Sequence, residues 1–107
     1  MDMSLNYAVE KLREAVGVLA TDKHRIKTRL QRAAVRVAQA SGAKDWPPEL
    51  KADHQALLDR LTAVQPTANE GAVAATVEQM SEDDAVEIAG AIVALAHRVT
   101  DACRAKI

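Results

Sequence analysis

The chain has 107 residues and a formal net charge of −1, with 14 Lys and Arg against 15 Asp and Glu. That length is consistent with one domain, 1–107, carrying one hydrophobic core. The absence of Phe, with a single Trp and a single Tyr, argues against a stacking platform for single-stranded nucleic acid and requires a core of small aliphatic side chains.

Apolar residues recur at steps of three and four, the period of a helix. Leu5, Val9, Leu12, Val16 and Leu19 give the first seam, with Ser4 placed to cap it. Thr21 and Asp22 are suited to start a fresh helix. Its seam is Ile26, Leu30, Ala33, Val37 and Ala40. A continuous rod over 5–40 is the competing reading. Ser41-Gly42 predicts the end of the second helix, with Gly42 in the left-handed conformation.

Trp46 falls in the linker 43–47 and is expected to lie over a helix end as an anchor. Pro48 suits the first turn of a third helix and Glu49 its dipole. Leu50, His54, Leu57, Leu61 and Val64 form the seam of that helix, widened by Leu58, and Pro66 ends it. Thr67 to Glu70 matches a capping box for a short helix reaching Gln79, with Val73, Val77 and Met80 on one side.

The last helix is predicted from Ser81 to Arg104, with Ser81 capping and Glu82, Asp83 and Asp84 at the favourable end of the dipole. Ala85, Ile88, Ile92, Leu95, Val99 and Ala102 line one stripe, and Val86, Gly90 and Val93 a second. Such a wide apolar surface needs cover on at least two sides. This predicts that the other helices sheathe it. The fold expected is all-α: a compact up-and-down antiparallel bundle of four main helices and one short helix.

Charge is distributed unevenly. Residues 1–44 hold nine Lys or Arg against four acids, and residues 45–107 hold five against eleven. The halves suit pairing within the fold or across a dimer before any external polyanion. Arg25, Arg29, Arg32 and Arg36 share one stripe of the second helix. They suit a phosphate backbone or another polyanion, or else acids on a neighbouring helix. Residues 61–97 contain six acids and no Lys or Arg, so the internal pairing is the stronger expectation. A helix-turn-helix over 68–79 and 82–104 would press Glu82, Asp83 and Asp84 against phosphates, which excludes it.

His24, His54 and His97 fall on three different helices. The residues three before them are Thr21, Lys51 and Ala94, so the Glu-x-x-His pairs of carboxylate-bridged metal bundles are absent. A buried or half-buried histidine bonded to a neighbour is expected in place of a metal site. Cys103 reads as a small packing residue able to meet its twin across a dimer. No phosphate loop, nucleophile elbow or paired-Cys motif is present, so no enzyme, metal or cofactor is expected. The longest uncharged apolar run near the C-terminus, 88–96, is far short of the roughly 20 residues that span a bilayer. With no export signal and a lone cysteine, a cytoplasmic location off the membrane follows.

Lys11-Leu12, Ala15-Val16, Leu19-Ala20-Thr21, Ile26, Arg29-Leu30, Pro48-Glu49-Leu50, Leu61-Thr62, Glu70-Gly71, Ala75-Thr76, Met80-Ser81 and 85–92 together resemble a group of short bacterial all-helical proteins. The resemblance implies a small stand-alone bacterial protein and carries no activity, cofactor or site. The sequence reading is therefore a non-enzymatic module acting through protein contacts, with homodimerisation as one form. The alternative is nucleic-acid or other polyanion binding through Arg25, Arg29, Arg32 and Arg36.

Overall fold

All regular structure in the computed structural model, which describes residues 4–66 and 71–105, is helical. Helix α1 spans Leu5–Thr21, α2 Ile26–Gln39, α3 Pro48–Leu61, α4 Gly71–Gln79 and α5 Glu82–Ala105, with a 3-10 turn at Ala40–Gly42 after α2. The chain is all-α, and the single rod over 5–40 is excluded by the turn at 22–25. The expected capping box at 67–70 lies outside the described residues.

Several helix ends form differently from expectation. Thr21 and Asp22 close α1 instead of opening α2: the Thr21 hydroxyl donates back to the Gly17 carbonyl at 2.7 Å, and the Asp22 N–H donates to Val18 O. Arg25 stands at the N-cap of α2 with no side-chain cap bond. Ser4 occupies the N-cap of α1, also without one. Gly42 is not left-handed. The left-handed residue after α2 is Asp45, at φ 67°, a residue type that tolerates this conformation. Helix α3 stops at Leu61, short of Val64, because Thr62 leaves helical geometry and turns its hydroxyl onto the Leu58 carbonyl at 2.8 Å. Pro48 and Glu49 occupy the first turn of α3 as expected, and the Ser81 hydroxyl accepts the Asp84 N–H at 3.0 Å.

One apolar cluster draws on all five helices. In α1 the buried residues are Leu5, Ala8, Leu12, Ala15 and Leu19. This seam is rotated from the expected one, leaving Val9 and Val16 half-buried. Helix α1 packs on both α2 and α5, and alanines between the leucines let both neighbours approach. The α2 seam of Leu30, Ala33, Val37 and Ala40 is buried as read, with Ile26 half-buried.

Helix α5 buries Ala85, Ile88, Ala89, Ile92, Leu95, Ala96 and Val99 against α1, α2 and α3. The expected second stripe is not covered. Val86 is 58 % exposed, Gly90 is exposed and Val93 half-buried, so the partners of α5 gather on one side and do not sheathe it. Side-chain contacts fix the relative directions. Cys103 near the end of α5 meets Asn6 at the start of α1. On α3 and α5, Asp53 pairs with Arg98 and Arg60 with Glu87, so these two helices run antiparallel.

Candidate functional site

The arginine stripe is organised around the corner between α1 and α2. The last carbonyls of a helix lack intrahelical donors and sit at the negative end of its dipole. Arg29 donates to one of them, Leu19 O, at 2.6 Å. Arg32 reaches the Asp22 carboxylate at 3.4 Å, and Arg36 bonds Gln39 on its own helix at 3.1 Å. Arg25 is exposed, and its side chain has no hydrogen-bond or ion-pair partner among the described residues. The acids of 61–97 are therefore not what engages the stripe. The corner offers acceptors only a few residues away in sequence. Asp22 accepts both the backbone N–H of His24 at 2.8 Å and its ring Nδ1 at 2.6 Å. Those two bonds hold its carboxyl below the ordinary carboxylate value.

The ion pairs found among the described residues do not join the two halves. Lys11–Glu14 at 3.1 Å, Asp22 with His24 and Arg32, Arg60–Glu87 at 3.4 Å and Asp53–Arg98 each lie within one half of the chain. Lys27 does cross, but to a backbone acceptor: its Nζ donates to the Glu78 carbonyl at 2.9 Å. Lys23, His24 and Arg25 at one end of α2 and Glu82, Asp83 and Asp84 at the start of α5 remain exposed.

His54 is 4 % exposed and hydrogen-bonded, as expected for a packed histidine. Its Nε2 lies 2.8 Å from Val37 O, and since a carbonyl only accepts, Nε2 carries the proton. Burial lowers its pKa from the ordinary 6.5, against an opposing pull from the Val37 bond. Trp46 anchors the linker by stacking on this ring, 4.8 Å between centroids and 25° between planes. His97 and His24 are exposed, so the buried-histidine expectation holds for His54 alone. The Cys103 thiol, half-buried, donates to Asn6 Oδ1 at 2.9 Å. Among the described residues no group of three or more His, Cys, Asp or Glu is placed to hold a metal ion. No helix among them is long and apolar enough to cross a membrane.

Two surface depressions differ in chemistry. The cleft between α3 and α5, about 290 Å³, has an apolar floor that includes Leu57, Ala91 and Leu95, and a rim of Asp53, Arg60 and Arg98. The groove between α2 and α4, about 610 Å³, is lined by Val35, Ala38, Ala72 and Val73 with Gln31 and Gln39, and by no ionisable side chain among the described residues. Val35 is 57 % exposed. Sequence reasoning passed over it because it lies off the α2 seam. The available signal was an apolar residue on the outer face with uncharged Gln31 and Gln39 one turn away on either side. No protein-family model, curated protein or solved structure matches the chain.

Proposed function

We propose that this chain is a non-enzymatic, cytoplasmic protein-interaction module that works as a homodimer, with a second copy seated on the groove between α2 and α4. The observation that carries the reading is the exposure of Val35 in a groove whose described lining residues are all uncharged. Apolar surface gains about 25 cal/mol for each Å² removed from water, and among the described lining residues no charge has to be stripped of water to collect that gain. The other exposed valine, Val86, is a poorer contact. Its neighbours along α5 include Glu82, Asp83 and Glu87, which would be brought against their own counterparts in a symmetric pairing.

The charge pattern favours a second copy over an unrelated protein. Each molecule exposes a basic end of α2 and an acidic start of α5, so the basic end of one copy is complementary to the acidic start of another. Sedimentation velocity across a concentration series tests this. The expected result is a mass that doubles with concentration for the native chain and stays monomeric for Val35→Glu at equal helicity. A native chain that stays monomeric throughout overturns it.

A second reading, polyanion binding through Arg25, Arg29, Arg32 and Arg36, is supported by the exposed heads of Arg25 and Arg32. It requires duplex binding at low salt that falls steeply as salt rises. Charge reversal at Arg25 and Arg32 would flatten that slope.

A further inference from the structure

Trp46, His54 and the Val37 carbonyl form a stack that joins the 43–47 linker, α3 and α2. The linker delivers Trp46 through the left-handed Asp45, and the indole covers an imidazole that is itself almost fully buried. With Nε2 committed as donor to Val37 O, Nδ1 is the nitrogen of the neutral ring that takes up a further proton. A proton taken from solvent onto Nδ1 places a charge on a ring that is 4 % exposed and covered by the indole.

We propose that this stack is a proton-sensitive latch: neutral His54 clamps the linker onto α2 and α3, and protonation of its ring releases Trp46. The indole face returns part of the cost by attracting the imidazolium, and the Val37 carbonyl returns more. Burial outweighs the carbonyl's pull, as the direction of the His54 shift records. The charged side chains on the surrounding elements include Arg36 on α2, Lys44 and Asp45 in the linker, Glu49, Lys51 and Asp53 on α3, and Arg98 on α5. None of them contributes to that shift: its causes are burial and the Val37 bond alone. Asp53 and Arg98 are paired with each other. Protonation of His54 is therefore opposed by the site itself, and exposure of the ring relieves it.

Trp46 is the only tryptophan, so its fluorescence reports the latch directly. Between about pH 7.5 and pH 4.5, the range in which a histidine titrates, the emission of the native chain should move to longer wavelength and become more accessible to acrylamide. The midpoint should coincide with that of the His54 ring followed by NMR and lie below 6.5, with the helical circular dichroism unchanged. In His54→Gln, whose amide can donate to Val37 O but does not titrate, the emission should stay constant over the same range. The proposal is overturned by an unmoved emission while the His54 ring titrates, by a shift that appears only as helical signal is lost, or by an equal shift in His54→Gln. Should that variant not fold, a mismatch between the fluorescence and NMR midpoints in the native chain overturns it equally.

Discussion

The guanidinium of Arg29 donates to the carbonyl oxygen of Leu19 at 2.6 Å, so a residue of α2 closes the C-terminus of α1. The Arg25 side chain, on the same stripe, makes no hydrogen bond or ion pair with a described residue. The four arginines therefore separate by function although they share one stripe. Arg29→Ala should lower stability by about 1.5–3 kcal/mol, the range for hydrogen bonds from charged groups. Arg25→Ala should stay within about 0.5 kcal/mol, as for an unengaged surface position. Urea unfolding of both variants checks the contrast.

The one-sided burial of α5 makes a second contrast. Ile92 is fully buried and Val86 mostly exposed. Ile92→Ala should cost about 2–5 kcal/mol from lost burial and the cavity left behind, while Val86→Ala should change stability by no more than about 0.5 kcal/mol. Comparable losses at the two positions would mean that α5 is covered on both sides.

Thr76 fastens the segment between α3 and α4. Its buried hydroxyl accepts the Val64 N–H at 3.0 Å and donates to Ala72 O at 2.6 Å. Thr76→Val keeps the shape and removes both bonds, leaving a half-buried N–H without its acceptor. A loss of about 1–3 kcal/mol is expected, with amide exchange at Val64 accelerated.

The pH dependence of stability follows from His54. Its folded-state pKa lies below the ordinary 6.5, so the unfolded chain binds the proton more tightly. The His54 contribution is fully present above about pH 6.5. It declines as the pH falls through that value and levels off below the folded-state pKa. Urea midpoints should therefore drop between about pH 7 and pH 5 in the native chain and less in His54→Gln, which lacks the titrating ring.

The seams of α2 and α3, the proline start of α3 and the Ser81 cap were legible because each depends on neighbours within one or two turns. The rotated seam of α1 was not. Whether Val9 or Ala8 faces inward depends on two helices arriving from different directions, which no period within α1 encodes. The bare stripe of α5 follows from the same cause, since periodicity reports that a face is apolar but not whether enough partners exist to cover it. The corner contacts of Arg29 and Arg32 were hidden for another reason: Thr21 and Asp22 suit the end of one helix as well as the start of the next. Val35 became visible as a candidate contact only once α4 was seen to form the other wall of its groove.

The groove between α2 and α4 as a self-association face is tested most directly by a dilution series followed by amide and methyl NMR. The account predicts concentration-dependent shifts concentrated at Gln31, Val35, Ala38 and Val73 and abolished in Val35→Glu. Shifts centred on Val86, Gly90 and Val93, or none at any concentration, would contradict it.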